Sequence, residues 1–536
     1  MKYTILLFLL VMSFITVEAQ LLWSDEMDSK RTDKIYDILY ADSSFIYYYN
    51  VSEPLKGYGY INRDLKLKSI SRTTTDFQRT IERDITFEEE YNLSDIAFYN
   101  NTFVMMASIE TEKDNYELSL VTLDTSLEQV NQTVFENITD ETFEYHLAKF
   151  VYLKDQIVLV IERTLKGDKY AYKNDDHKEL MLYYFDKKFK LIKKEFYNYD
   201  NDYGTTNWVS ITSIDNEVFF ILKEFVEPEN PKEKNYFAYV PKYKYSIYTV
   251  KNNELKKLHT LNPNYYYNEV YFTKSNNDKL NVLYTIKSIF SSEEYIKGVG
   301  ALILNTNGDV ITNRNFAINQ TTLEQFHKKE VNEVANTKHM SPSFKINYTK
   351  QRKDNGFYLV LEYFKEIESG GYTSGGFFGG AIGGGYHSGG FGNTSVIYNS
   401  YANVVFSFDD SLSLEGISYL PKEQTSSVAQ FISCIYTTID NDLYLFTNGN
   451  VKKGFSKYFM GILSAKDFKD ATCYQMKVTP NQQIEIKEAF KNEGEKSLLY
   501  TSRSYINDNI LFIYSNFEPF AKFKEKNPRL GIYHIQ

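Results

Sequence analysis

The chain has 536 residues and a formal net charge of −10, its 60 Lys and Arg interspersed among 70 Asp and Glu. No basic block stands out, which makes nucleic acid and anionic membrane poor matches as partners, and neither is expected. With 43% of residues hydrophobic and 16% aromatic, the material for a large core is ample.

The first residues, "MKYTILLFLLVMSFITVEAQ", join a positive start at Lys2 to an apolar run, Thr4–Val17. Val17-Glu18-Ala19 then fits a small-residue cleavage site. This reads as a secretory signal peptide over 1–19. The run is shorter than the ~20 residues that span a bilayer, and no later segment replaces it, so no membrane span is expected. No Cys follows the cleavage site, so the mature chain, 20–536, is expected secreted or periplasmic and not a lipoprotein.

From there one turn type recurs: a polar Asn/Asp cluster followed at once by an apolar strand. It stands at 40–49, 99–107, 153–161, 214–222, 275–284, 352–361, 439–446 and 506–514. Asn and Asp tolerate the left-handed backbone of tight hairpins, so each instance predicts a β-hairpin. A second strand–turn–strand type falls between them, at 60–70, 120–135, 183–196, 248–261, 302–316, 405–417 and 476–490. Each unit therefore has four strands, A to D, with tight A–B and C–D turns. Four-stranded meanders repeated in series predict an all-β chain, a single β-propeller of eight, alternatively seven, antiparallel blades. The last unit ends without strand D, whereas "LLWSDEMDS" (21–29) precedes the first strand A. The N-terminal segment is thus expected to close the last blade as its outer strand. One helix is expected, over 321–334, from the capping-box spacing of Thr321 and Glu324.

The A–B and C–D turns share one face by strand reversal alone. The long segments fall on the other, as B–C loops: 163–179, 224–244, 287–298, 366–402, 448–471 and 516–529. They are aromatic. Tyr170 and Tyr172, then Tyr236, Phe237, Tyr239, Tyr243 and Tyr245, then Phe377, Phe378 and Tyr386, then Phe455 and Tyr458, and finally Phe520 stand in successive loops. Rings give large contact area at small entropic cost, which suits a protein or glycan surface. Of these, Tyr170, Tyr172, Tyr236, Phe237, Tyr239, Phe377, Phe378, Tyr386, Phe455, Tyr458 and Phe520 form the candidate binding set. The glycine-rich stretch 369–392 lacks Lys and any Gly-Lys-Ser/Thr, so it is a B–C insertion rather than a phosphate loop.

Motifs for chemistry are missing: no HExxH, CxxC or GxSxG occurs, and the seven His are scattered. Asp200 and Asp202 before Gly204 make only a fragment of a calcium loop, read as a polar turn. No catalytic residue, metal or cofactor is assigned. Cys434 and Cys473 are placed on non-adjacent strands of one sheet, roughly 10 Å apart. That exceeds disulfide reach, so two free thiols are expected.

At 396–426 the Val404–Asp409 strand, the FDxxLxL turn and the Pro421-Lys422-x-Gln424 exit resemble secreted propeller proteins of Gram-negative bacteria, of WD40- or kelch-like architecture. The signal ending Glu-Ala-Gln is similar too. The resemblance implies fold and export, and nothing about catalysis. The functional expectation is a secreted, non-enzymatic binding protein whose B–C face engages an extracellular or envelope protein or glycan. Two alternatives stand beside it: a glycan- or peptide-degrading enzyme with carboxylates at the central channel, and a structural envelope scaffold. Carboxylates converging within ~5–10 Å at the channel mouth would favour the enzyme. Oligomeric state leaves no mark in the sequence.

Overall fold

The structure is a computed structural model. It describes residues 21–25, 33–52, 66–85, 91–112, 115–128, 130–138, 143–165, 178–198, 206–226, 242–251, 254–273, 278–290, 293–318, 340–341, 343–369, 395–426, 432–450, 460–463, 471–491, 498–517 and 526–536. The signal-peptide segment, the expected helix at 321–334, the Asp200–Gly204 turn and the glycine tract beyond Ser369 lie outside these residues.

Eight antiparallel sheets follow one another along the chain. They span Asp33–Asp84, Tyr91–Ile138, Phe143–Asn198, Thr206–Thr260, Tyr266–Ala317, Phe344–Ser426 and Ile435–Lys491, and Tyr505–His534 joined by Leu21–Trp23. Each strand A packs against strand A of the next blade, and these contacts run through all eight blades and return to the first. The molecule is an eight-bladed β-propeller with the A strands innermost, and no helix occurs among the described residues.

The B strands show why the sheets stack. In Ile157–Ile161, Ile157, Leu159 and Ile161 pack on blade two, while Val158 and Val160 pack on blade four. A strand buried on both faces needs a continuous apolar run rather than alternation. One hydrophobic cluster sits at each of the eight blade interfaces. Phe219, Phe220 and Ile221 are fully buried, each stabilising by about 1.5–3 kcal/mol. The outer D strands stay wet, as in Val310–Ala317, where Val310 and Ile311 remain exposed.

All eight expected A–B hairpins form. Their left-handed positions fall on Asn100, Asn101, Asp215, Asn355, Asp440 and Asp508, residues that tolerate positive φ. The C–D turns share another pattern. An Asp, Asn or Thr opens the turn and its side chain accepts backbone N–H groups further on, as Asp186 does from Lys188 (2.8 Å) and Lys190 (2.9 Å). Asp409 does the same for Ser411 (2.9 Å) and Ser413 (2.6 Å). Three residues after the opener comes a left-handed residue: Phe77, Leu127, Phe189, Gly308, Leu412 or Gln482. Left-handed backbone costs a Leu about 1–2 kcal/mol. Burying Leu127 and Leu412, 2% and 1% exposed, offsets that.

Two expectations need correction. The turn read at 60–70 is not the C–D turn of blade one. That turn is Thr74–Arg79, where Thr74 and Phe77 take the opener and left-handed places, and strand C already begins at Lys66. Residues 287–298 are not a long loop. Lys287 pairs with Ile296 and Phe290 with Glu293, so strands B and C of blade five run on as a tight hairpin.

The last blade closes as expected. Leu21, Leu22 and Trp23 pair with Tyr533, Ile532 and Gly531, outside strand C. The Trp23 ring meets Phe490 edge-on at 5.6 Å and lies under the Arg529 guanidinium at 5.3 Å. A methyl group at Gly531 would stand 2.6 Å from the Trp23 ring, so only glycine lets the indole lie down. Cys434 and Cys473 are free and buried, with strand B of blade seven between them.

Gly531→Ala is expected to cost about 1–3 kcal/mol in urea unfolding, as overpacking does, and to shift Trp emission. An unaltered emission and midpoint would show that Trp23 is not docked. Asp409→Ala is expected to cost about 1–2 kcal/mol by orphaning two turn N–H groups, and Asp410→Ala less than about 0.5. Equal effects of the two in thermal melts would contradict the turn assignment.

Candidate functional site: a polar cavity at the inner wall of blades six to eight

In blades two to seven, strand B turns polar at its sixth residue from the same starting register: Ser108, Glu162, Lys223, Thr285, Glu362 and Asn448. Each follows five mostly apolar residues and faces the next blade. Most are buried, and two tie neighbouring backbone. Thr285 Oγ1 accepts the Glu269 N–H (3.1 Å), and Asn448 bonds the Leu499 carbonyl (2.7 Å) and N–H (3.2 Å). A fully charged group buried at this level has to be neutralised, as Glu362 of blade six is.

Glu362 is 1% exposed. Its Oε1 accepts from Ser400 Oγ (2.7 Å) and Lys422 Nζ, and its Oε2 from Ser433 Oγ (2.6 Å), Tyr436 Oη (2.8 Å) and Asn347 Nδ2. Lys422 comes from strand D of the same blade and is fully buried. Its ammonium also lies 3.5 Å from Cys434 Sγ, which Asn403 Nδ2 approaches at 3.2 Å. Two residues on, buried Gln424 clamps blade seven: its amide donates to Thr447 Oγ1 (2.9 Å) and Asn448 O (2.7 Å) and accepts the Ser433 N–H (3.0 Å). Ser433 is thereby held at φ 86°, a conformation a serine adopts only when its surroundings fix it. Met460–Leu463, from the B–C insertion of blade seven, pairs in parallel with Lys422–Gln424 and covers this edge.

This network forms one wall of a cavity of about 590 Å³. Asn347 and Tyr348 of blade six, Ser433 and Tyr436 of blade seven, and Thr501 and Ser502 of blade eight line it. These are inner strands, or the segments leading into them from the B–C side, which places the cavity at the inner end of blades six to eight toward that side. Tyr348 and Tyr436 stack at 5.5 Å, and Thr501 Oγ1 fixes the Ile432 carbonyl at 2.8 Å.

The electrostatics favour holding over reacting. Burial disfavours ionised Glu362, but the Lys422 charge and the hydroxyl donors outweigh it and hold the carboxyl below the ordinary range. Its lone pairs are engaged, so it is a poor proton acceptor. Burial pushes the Cys434 thiol up, keeping it protonated, and pushes Tyr436 well up. Glu269, on strand A of blade five, also borders the inner wall. Burial raises its pKa, although its Oε2 accepts the Ile346 N–H and Lys345 stands 4.0 Å away. Among the described residues no group of three or more His, Cys, Asp or Glu could hold a metal ion.

The eleven candidate aromatics, Tyr170 to Phe520, all lie outside the described residues. Tyr243 and Tyr245 do not belong to a loop. They sit on strand C of blade four, and Tyr245 is 3% exposed, packed edge-on against Tyr267. None of the cavity residues was a sequence candidate. The readable signals were the polar sixth position of strand B and the Lys422-x-Gln424 exit.

No family model matches the chain, and no curated protein does. Solved structures match at low similarity. The WD40 domain of SCAP from fission yeast is 8% identical, covers 97% of this chain and 98% of that one, and superposes with a TM-score of 0.39. The polysaccharide lyase Uly1 is 7% identical over 96% of this chain and 100% of that one, TM-score 0.35. Trypanosoma rangeli sialidase is 9% identical over 77% and 57%, TM-score 0.29. At these scores none bears on what this chain does, and the propeller rests on its own strand order.

Replacing Glu362 alone, as in Glu362→Gln, leaves the Lys422 ammonium buried without its counter-charge and is expected to cost about 3–5 kcal/mol. Because the folded carboxyl sits below its unfolded value, the stabilisation is complete above about pH 4.3 and is lost as pH falls through the folded value. Denaturant midpoints from pH 7 to pH 2 should show this loss in the wild type and not in Glu362→Leu/Lys422→Met. Parallel profiles would contradict the ion pair.

Proposed function

We propose that this is a binding protein, exported from the cytoplasm, that engages a protein segment on the B–C face of its propeller. The cavity of blades six to eight is the centre of the contact. The observation that carries this reading is the fixed wall: five donors converge on Glu362, so Ser433, Tyr436 and Asn347 are set before any ligand arrives. Preorganised groups bind without an ordering cost. The local charge is balanced by Lys422, which suits a neutral, hydrogen-bonding ligand such as peptide backbone. Strands B and C of blades three, four, six, seven and eight end on this side, and the aromatic residues of the sequence between them would widen the contact. The leader read in the sequence supports the compartment, and the resemblance to secreted propellers agrees with it. The stacked Tyr348 and Tyr436 rings favour a glycan as the second reading, since aromatic faces also receive sugars. Glu362 with every lone pair engaged speaks against the hydrolase alternative at this site.

Envelope and culture-medium proteins and a glycan array should be probed with the wild type, a variant lacking 370–392, and Ser502→Trp, which fills the cavity. A captured partner is expected to bind Ser502→Trp at least about tenfold more weakly, near 1.4 kcal/mol. Equal capture by all three proteins would overturn the assignment of this face.

A further inference from the structure

Strand A of blade seven, Ile435–Ile439, has an inner edge that its neighbours close only in part. Asp440 and Asn441 form the turn to strand B, and Ile439 faces Asp442 across it. The pair flanking such a turn is hydrogen-bonded, and along an antiparallel ladder bonded and non-bonded pairs alternate. Ile435 and Thr437 therefore bond strand B, while Tyr436 and Thr438 turn their N–H and C=O groups away from the sheet. Blade six closes the lower part of this edge. The Lys353 N–H donates to the Asp440 carbonyl (3.0 Å) and Lys350 Nζ to the Thr438 carbonyl (3.4 Å). The Tyr348 hydroxyl meets Thr438 Oγ1 at 3.0 Å and receives the Thr438 N–H. One step further on, at Tyr436, the closure stops.

One blade earlier it does not stop. Asn268 and Glu269, in a bulge of strand A of blade five, bond the Phe344 carbonyl (3.4 Å) and the Ile346 N–H of blade six. Blade six has its own bulge at Asn347, but that amide is drawn to Glu362, Ser433 and Tyr436 Oη. The backbone N–H and C=O of Tyr436 thus have no partner off the sheet among the described residues. They border the cavity: Ile432, Ser433, Cys434, Ile435 and Tyr436 line it in unbroken succession. Side chains alternate along a strand, so such a run faces a cavity with its backbone edge. Across the cavity stands Ser502, exposed, its hydroxyl without a partner among the described residues. We infer that the ligand of this cavity is an extended peptide strand that adds to blade seven, pairing its backbone with the N–H and C=O of Tyr436 while Ser502 meets its far edge. The inference rests on the binding role proposed above for the cavity and specifies the form of the ligand. A donor and an acceptor on one residue of an edge strand match another extended backbone. A helix has already paired those groups internally and cannot answer them.

A displayed library of short linear peptides, selected on the full chain, tests this, with a glycan array beside it. Each selected peptide is measured by calorimetry against the wild type and Ser502→Trp, and melting curves establish that the variant is folded. Versions of the peptide carrying one backbone N-methyl group each are then compared. Binding is expected to fall at least about tenfold in Ser502→Trp. N-methylation is expected to weaken binding at least about tenfold at the one position whose N–H faces Tyr436, and less than about twofold at the positions on either side, whose N–H groups point away. In residue-resolved hydrogen exchange, bound peptide should slow the Tyr436 amide at least about tenfold and leave Thr437, already bonded to strand B, unchanged. Peptides lost in Ser502→Trp but indifferent to N-methylation, or bound as helices, overturn strand addition and leave the cavity in use. Glycan binding lost in Ser502→Trp, with no peptide selected, does the same. Capture indifferent to Ser502→Trp, or no ligand from either source, overturns the role of the cavity and this inference with it.

Discussion

A four-stranded blade of this protein has two apolar faces and can bury neither alone. Ile157, Leu159 and Ile161 need blade two, while Val158 and Val160 need blade four. The requirement passes from blade to blade and ends only when the row returns on itself. Blade eight must therefore be a complete sheet, although the C-terminal end of the chain supplies three strands. Leu21–Trp23 provides the fourth and covers the outer edge of Lys526–His534. Trp23 lies on Gly531 and so joins the two ends of the chain, and with Leu21 and Phe490 it packs in the cluster between blades seven and eight.

Burial on both faces also explains where polar groups collect. An apolar strand B cannot continue unchanged as it nears the B–C face, and from blade two to blade seven its sixth residue is polar. Small groups such as Thr285 are satisfied by one backbone bond. A carboxylate requires more, and blade six surrounds Glu362 with Lys422, Ser400, Ser433, Tyr436 and Asn347. The same bonds that neutralise the charge fix the wall of the inner cavity. Stability and preorganisation there have one origin.

Much of the architecture was legible because turn chemistry is local. Asn or Asp before an apolar run marked all eight A–B hairpins, and the missing last strand D pointed to the N-terminal segment. The C–D turn of blade one was misplaced because Thr74 opens it in place of Asp, while the polar "YINRDLK" upstream resembled a turn. Residues 287–298 read as a loop because their charged residues conceal a continued hairpin. The site was harder to read. Glu362 and Lys422 lie sixty residues apart, on strands B and D, and meet Ser433 and Tyr436 only across a blade interface. A single buried Glu in "FYLVLEYF" gave a signal, but only alignment of the B strands exposes it. Lys422 and Gln424 were noticed as part of a chain exit, and that exit is where two blades are clamped together.

Native-state hydrogen exchange tests ring closure most directly, because it resolves local from global opening. The amides of Leu530–Tyr533, paired to the N-terminal strand and to strand B of the last blade, are expected to open with the same free energy as Leu159 and Val160 in blade three. Exchange of the Leu530–Tyr533 amides several kcal/mol more easily, with blade three still protected, would contradict the account. It would mean that the ring keeps its stability without the join.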